Sequence, residues 1–541
     1  MNSLIGDILP LATGIAISPM PIIAAILMLF SPRKGASIGY LAGWIIGVAV
    51  MFTLFISLSS LVEEDQASGD QPVKGLIKIA LGLAIIYLGY KKWNEHDYLA
   101  GAGLSVQGAS IRMQMTSLRG SGILLQGGGG AALSGFSEAK IEIASEDEVS
   151  SILSAWADAR PTLTIGALKA SNNSIPAQIN AGGFNRHTFM CGQSGSGKTY
   201  SLGVVLEQIL MHTDLRVAIL DPNADYVHLG SPSPKMQSAE PGSREDQLAQ
   251  NYLARTESLQ VFRPVVEDDA RELPLRIRFI DLSQEDQAKV MMLDPLVDRD
   301  EYDAFRRMAD RLGDQPYQVG DIREAALDDL SSVARQVLLR VSNLGVGEWS
   351  VWADSDEQSL SDVLSSPWRS IVLDVSRFER PIERSVMALA TLRHFWNRRT
   401  DRKPVLLVID EAHNVCPKDP TDPIQAAATE LAIAIAGEGR KYGIYMLLST
   451  QRPDKIHPNV VSQCDNLMLM RMNSQADLAE LQQVFSFVPP AVLAESVAFR
   501  QGEALIAGTL VHSPMLTRMG QRISREGGAD VETTWARVSP D

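Results

Sequence analysis

Apolar positions are spread unevenly along this chain. Ile8 to Phe30 and Gly35 to Leu61 carry no charged residue at all. Each run is long enough to span a bilayer. A third run, Gly75 to Tyr90, is shorter and carries Lys78. The pattern predicts three membrane spans within residues 1–95. A cleaved leader fits poorly, because no basic segment precedes the first run and that run is too long. Pro19-Met20-Pro21 interrupts the first span and predicts a kink there.

Loop charges set the orientation. Arg33 and Lys34 lie in the first loop, and Lys91 and Lys92 follow the third span. The second loop, residues 62–70, holds Glu63, Glu64, Asp65 and Asp70. The positive-inside rule then places the first loop and everything after Lys91 in the cytoplasm. The expected location is the inner membrane, multi-pass, with the bulk of the chain cytoplasmic.

From residue 96 to about 160 the pattern changes. The stretch is rich in Gly and Ser and includes Gly127 to Gly130. Such composition reads as a flexible linker. Ala109 to Met115 alternates polar and apolar positions as a strand would. Glu146 to Ala159 has a helical pattern. A Gly-rich linker and a small, partial β unit both fit this segment.

Beyond residue 161, short apolar runs alternate with helical periodicity. Leu163–Leu168 and Ile175–Asn180 read as two short strands. Further strands are expected at His187–Cys191, Leu215–Asp221, Ile371–Val375, Val405–Asp410, Ile444–Thr450 and Leu467–Arg471. The alternation predicts an α/β domain over residues 161–541, with a parallel sheet covered on both faces. Residues 230–350 interrupt it. They are polar, acidic and mostly helical in pattern, as in Glu301–Leu312 and Asp321–Leu344. They read as a helical insertion on one side of the domain.

Composition narrows the function. At 541 residues the chain exceeds a single core. The net charge of -15 excludes a generally basic, nucleic-acid-coating surface, though not a basic channel inside an acidic body. Cys191, Cys416 and Cys464 are widely spaced and odd in number, which suits a reducing compartment. No Cys/His group has zinc spacing.

The sharpest chemical signal is Gly192-Gln193-Ser194-Gly195-Ser196-Gly197-Lys198-Thr199, which fits G-x-x-x-x-G-K-[ST]. The strand His187–Cys191 precedes it and the helical run Tyr200–Leu210 follows it. Strand, glycine loop and helix form the context in which backbone N–H groups cradle phosphate. Candidate nucleotide contacts are Gly192, Ser194, Gly195, Ser196, Gly197, Lys198, Thr199 and Tyr200. Lys198 reaches the β/γ-phosphates in this pattern, and Thr199 offers its hydroxyl to Mg²⁺.

A second signal is Val405-Leu406-Leu407-Val408-Ile409-Asp410-Glu411-Ala412-His413, an apolar strand ending in two carboxylates. Asp410 is the expected holder of Mg²⁺. Glu411 is the expected base that orients and deprotonates the attacking water. Gln451 ends another strand and reads either as a γ-phosphate sensor or as an ordinary polar strand end. Arg440 reads either as a charge stabiliser in a neighbouring subunit's site or, with Lys441, as a basic pair capping a helix.

Taken in order, GQSGSGKT, LDPNADY, VIDEAH, GRKYG and STQRP resemble the HerA/FtsK superfamily of ring ATPases, the HerA branch in particular. The likeness covers about residues 160–525. The tail Gly502–Gly508, with Pro514 after it, looks like that family's last strands. The resemblance implies a RecA-like domain in a homohexameric ring, ATP and Mg²⁺ as cofactors, and translocation of double-stranded DNA. It also implies a cis site of Lys198, Thr199, Asp410, Glu411 and Gln451, with Arg440 acting in trans beside Lys441. Two departures stand out. Asp225 occupies a position where the family often has Glu, and the family's N-terminal β-barrel is at most partial here.

The first 95 residues, with Gly14–Ile22 and Gly39–Trp44, resemble GAP/Sap-type membrane proteins, which are distantly LysE-like. The expected whole is a membrane-anchored DNA-translocating ATPase, working with a nuclease or other effector in DNA processing or phage defence. The alternatives are a nucleotide-gated membrane scaffold for an effector and an ATP-driven exporter.

Overall fold

A computed structural model describes residues 112–116, 122–126, 141–143, 146–157, 160–169, 175–266, 272–313 and 316–528. The three expected spans lie outside these residues. Among the described residues no helix is long and apolar enough to cross a membrane.

Three short strands, β1 (Arg112–Thr116), β2 (Gly122–Gln126) and β3 (Ile141–Ile143), pair antiparallel in that order. The strand expected at Ala109–Met115 corresponds to β1. The helix expected from Glu146 runs Glu146–Ala157.

A twelve-stranded sheet follows. In chain order its strands are β4 (Thr162–Leu168), β5 (Pro176–Asn180), β6 (His187–Cys191), β7 (Arg216–Asp221), β8 (Leu259–Arg263) and β9 (Glu272–Pro274), then β10 (Ser370–Asp374), β11 (Val405–Ile409), β12 (Ile444–Thr450), β13 (Cys464–Leu469), β14 (Glu503–Gly508) and β15 (Met515–Met519). Their spatial order is β5-β4-β15-β14-β13-β6-β12-β11-β7-β10-β8-β9. From β13 to β9 every pairing is parallel.

The wholly parallel sheet expected from the sequence needs correction at one edge. There β14, β15, β4 and β5 pair antiparallel. For β14–β15 and β4–β5 the reason is connection length. Residues 509–514 join β14 to β15 and residues 169–175 join β4 to β5. Connections so short have no room for the crossover that a parallel pair needs.

Strands β6, β10 and β11 are buried along their whole length, and alternate residues serve opposite faces. Met190, Leu406 and Val408 pack with Leu202, Val205 and Ile209 of the helix Lys198–His212. Phe189, Leu407 and Ile409 pack with the helices Pro381–Asn397 and Pro423–Glu438 on the other face. Burial on both faces explains why these strands read as continuous apolar runs.

Residues 230–350 contribute strands as well as helices, since β8 and β9 extend the sheet beyond β10. The continuous helix expected at Asp321–Leu344 is two helices, Val319–Asp328 and Ser332–Leu344. Asp329 Oδ1 accepts from Ser331 N at 3.0 Å, and Ser331 Oγ accepts from Ala334 N at 3.1 Å. These side chains close a turn and cap a new helix, which periodicity alone does not register.

Candidate nucleotide site

The glycine loop leaves the carboxyl end of β6. Gly195 and Gly197 have φ of +71° and +87°. This left-handed backbone costs glycine nothing and turns the loop around its N–H groups. Gly197 is also the N-cap of the helix Lys198–His212, so the loop opens onto that helix's free amides.

Neighbouring strands tether the loop. Gln193 N donates to Arg471 O at 3.0 Å, and Arg471 Nη2 donates to Gly195 O at 3.1 Å. Gly502 N donates to Ser196 O at 3.0 Å. A Cβ on Gly192 would lie 2.5 Å from Met470 Cβ, so the loop's approach to β13 requires glycine. Ser194 and Gly195 are exposed, Thr199 is half-buried, and the buried Ser196 Oγ has no hydrogen-bond partner among the described residues.

Strands β11 and β12 end beside β6, and their carboxyl ends supply the polar groups. Lys198 Nζ lies 2.8 Å from Asp410 Oδ1, 2.8 Å from Ser449 Oγ and 3.3 Å from Glu411 Oε1. Burial alone would push this ammonium's pKa down. Asp410 and then Glu411 outweigh burial and hold it above its ordinary value. Gln451 Nε2 donates to Glu411 Oε1 at 2.9 Å. Glu411 itself has φ of +45°, a strained conformation for a non-glycine residue. Asp410 Oδ2 is buried and has no hydrogen-bond partner among the described residues. Lys198, Asp410, Glu411 and Gln451, read separately from the sequence, thus converge on one pocket wall.

Two expected residues sit elsewhere. Tyr200 turns its hydroxyl to the chain's last described segment and accepts from Arg522 N at 2.7 Å. Arg440 lies on the turn Gly439–Tyr442 that precedes β12, and its Nη1 donates to Asp465 Oδ2 at 2.5 Å. Gln451 follows the other end of that strand. The seven residues of β12 separate the two by roughly 20 Å. Arg440 therefore lies remote from its own chain's Lys198. Lys441 beside it is exposed.

Several residues of the site were not anticipated. Ser449, the first residue of STQRP, holds the lysine, a contact that the sequence does not signal. His413 Nδ1 lies 3.1 Å from Thr450 Oγ1 and 3.3 Å from Glu411 Oε2, and burial lowers its pKa. Asp221 ends β7 and accepts from the backbone N–H groups of Asn223, Asp225 and Tyr226. Burial pushes its carboxyl up to about 7, and pushes that of Asp225 up to about 6 with help from Asp410.

Glu207, wholly buried in the helix after the loop, accepts from Ile523 N and Ser524 N at 2.8 Å each and lies 3.5 Å from Arg522 Nε. This pins the final described segment against the helix that carries Lys198. All three cysteines are free and buried.

An anion cradle at a helix N-terminus, a lysine within it and two strand-end carboxylates form the apparatus for polyphosphate hydrolysis. Comparisons with known proteins agree. The family profile described as "Helicase HerA, central domain" matches residues 163–388. The profile "ATPase family associated with various cellular activities (AAA)" matches residues 374–472, and "Sap, sulfolipid-1-addressing protein" matches residues 8–172. The chain is 23% identical over 407 residues to the DNA double-strand break repair helicase HerA of Sulfurisphaera tokodaii, covering 72% of this chain and 74% of that one. The HerA of Sulfolobus acidocaldarius is 21% identical over 418 residues, covering 74% and 77%. Among solved structures, VirB4 of Thermoanaerobacter pseudethanolicus superposes with a TM-score of 0.46 at 16% identity, covering 66% of this chain and 96% of that one. The chain therefore carries an ATPase domain similar to that of HerA, on a mostly parallel α/β sheet, and it is an ATP-hydrolysing enzyme.

Proposed function

We propose that the chain is a membrane-anchored, hexameric ring motor that couples ATP hydrolysis to translocation of double-stranded DNA. The observation that carries this reading is the placement of Arg440. It projects from the end of β12 remote from Lys198 and Glu411. Serving a neighbour's site is the role open to it, and a closed ring gives every site such a neighbour. The curated relatives are named as DNA double-strand break repair helicases, which favours DNA as the load. The uncharged runs at the N-terminus favour an inner-membrane anchor, with an effector such as a nuclease as a partner in the cytoplasm.

The chain's own groups divide the chemistry. The loop's N–H groups receive the phosphates. Lys198, held between Asp410 and Glu411, exchanges a carboxylate contact for a phosphate oxygen. Glu411 is then free to accept a proton from water, and Gln451 Nε2 keeps its carboxylate oriented. Asp410 and Thr199 would hold Mg²⁺, and the partnerless Asp410 Oδ2 suits that role. Mg²⁺ supplies charge neutralisation on the β- and γ-phosphate oxygens.

Electron microscopy of the detergent-solubilised full chain carrying Glu411→Gln, with ATP and with or without duplex DNA, tests the whole reading. A six-fold ring with DNA in its pore is expected. A monomer whose wild-type turnover ignores DNA would overturn it. The net charge of -15 favours a second reading, a nucleotide-gated scaffold for an effector. Slow, DNA-indifferent turnover together with nucleotide-dependent capture of a partner would select that one.

A further inference from the structure

At the amino ends of the strands, opposite the nucleotide site, a cleft of about 310 Å³ opens. Its walls are the starts of β7, β11 and β12, the end of the helix Pro381–Asn397, and the loops around residues 364–368 and 398–403. Four cationic side chains line it, Arg216, Arg398, Arg399 and Lys403, against a single carboxylate, Asp401. In a chain of net charge -15 this is a local reversal of sign.

Arg216 is the unusual member. Its guanidinium stacks over the Trp368 ring at 3.8 Å from the centroid. It is half-buried, and among the described residues its buried Nε has no hydrogen-bond partner and the side chain no acidic partner. The nearby Arg369 also has a buried Nε without a partner among the described residues, but its Nη atoms donate to Arg255 O, Leu210 O and Thr213 O at 2.8, 2.5 and 2.6 Å, and Arg216 has no such bond among those residues. A half-buried guanidinium without an acceptor carries a desolvation cost that an anion would relieve. Burial, then the neighbouring Arg398, pushes Arg216 below its ordinary pKa, as expected of a cation held without a counter-charge.

Nearby charges are only partly spoken for. Arg398 Nε reaches Asp401 Oδ2 at 3.4 Å, and Lys403 is exposed without an acidic partner among the described residues. Tyr442 adds an aromatic wall. Planar donors pre-oriented by stacking suit the oxygens of a phosphate, and an aromatic wall suits a planar ring.

We propose that this cleft binds a small organic phosphate of mononucleotide size, with its phosphate against Arg216, Arg398 and Lys403 and its base against Tyr442. The cleft is concave and walled by two loops, which fits a compact ligand better than the convex backbone of duplex DNA. Tyr442 shares the turn Gly439–Tyr442 with Arg440, so an occupant bears on the segment that carries that arginine. An effect on turnover therefore rests on the trans role proposed for Arg440, whereas binding does not.

The test is equilibrium dialysis of the detergent-solubilised full chain against radiolabelled AMP. Lys198→Ala with Asp410→Asn silences the hydrolytic site and leaves one carboxylate, Glu411, without the lysine in place of two. One AMP per chain is expected. Added Arg216→Gln should weaken it at least tenfold, and the exposed Lys403→Gln, which cannot disturb the core, severalfold. Absence of binding, indifference to both substitutions, or displacement by a duplex oligonucleotide would overturn the assignment. In the wild-type chain at saturating ATP, AMP should shift turnover about twofold or more. Intact binding with unshifted turnover would sink the coupling of the cleft to the turn that carries Arg440 and leave the binding assignment standing.

Discussion

Gln451 Nε2 donates to Glu411 Oε1 across 2.9 Å, joining the carboxyl ends of the neighbouring parallel strands β11 and β12. The bond restrains a carboxylate on a strained backbone position, and it makes the base and its orienter one unit. A hydrogen bond to a charged group contributes about 1.5–3 kcal/mol. Gln451→Ala should therefore lower kcat by roughly 10- to 100-fold with ATP affinity little changed. Glu411→Gln should cost more, about 10²- to 10⁴-fold, as expected for loss of a general base. Single-turnover hydrolysis beside nucleotide-binding titrations separates the two effects. An equal loss of affinity in Gln451→Ala would show that the residue holds the nucleotide instead.

Lys198 is 4% exposed and lies within ion-pair distance of both Asp410 and Glu411. Removing it leaves two adjacent carboxylates without a counter-charge. Breaking a buried pair in this way costs about 3–5 kcal/mol. Lys198→Ala should thus abolish nucleotide binding and also lower the melting temperature of the nucleotide-free chain. Adding Asp410→Asn should restore most of that lost stability without restoring binding. Thermal melts of the two variants would decide it; equal melting temperatures would mean that the carboxylates are well solvated.

His187 is fully buried at the start of β6, and its Nδ1 accepts from Met446 N at 3.0 Å. Protonation at Nδ1 would cost that hydrogen bond. Burial, with Arg440 and Arg186 assisting, lowers its pKa to about 4. The folded value lies below the unfolded value of 6.5, so the unfolded chain takes up this proton first as pH falls. The stability contribution is complete above pH 6.5 and is lost as pH falls toward 4. At pH 5 the loss from this group is about 2 kcal/mol. Asp221 and Asp225, with raised pKa values, act in the opposite direction over much of that range. The comparison must therefore be with His187→Asn, which keeps an acceptor for Met446. The variant should lose less stability than wild type between pH 7.5 and pH 5 in urea titrations, and parallel losses would refute the assignment.

The parts of this site that were legible in the sequence are those encoded within a few residues. Gly192 to Thr199 and Val405 to His413 each combine an apolar strand with its terminal chemistry, so strand, loop and role could be read together. Contacts made by remote partners were not legible. Ser449 meets Lys198 across 251 positions, and Glu207 meets Ser524 across 317. Glu207 looks like a solvated helix position until its three oxygen contacts with residues 523 and 524 are seen. The antiparallel edge was hidden for a related reason. Short apolar runs record burial but not direction, and for the β4–β5 and β14–β15 pairs the lengths of the connections set it.

Arg440 and Glu411 lie near opposite ends of neighbouring strands, so each active interface in a ring would draw them from different chains. Arg440→Ala should leave ATP binding and assembly intact while lowering kcat by about 10³-fold or more, the range for removal of a trans-acting arginine. Its ion pair with Asp465 is partly exposed, so loss of that pair alone should change stability by less than about 1 kcal/mol. The decisive measurement mixes two inactive variants. In a ring built from Arg440→Ala and Glu411→Gln chains, some interfaces pair an intact Glu411 from the first with an intact Arg440 from the second. Those interfaces should hydrolyse ATP, so mixing should restore activity that neither preparation has alone. Restoration should vanish when subunit exchange is blocked by crosslinking each ring beforehand. No recovery in rings shown to have exchanged subunits would place Arg440 outside the catalytic interface and leave its bond to Asp465 as its whole role.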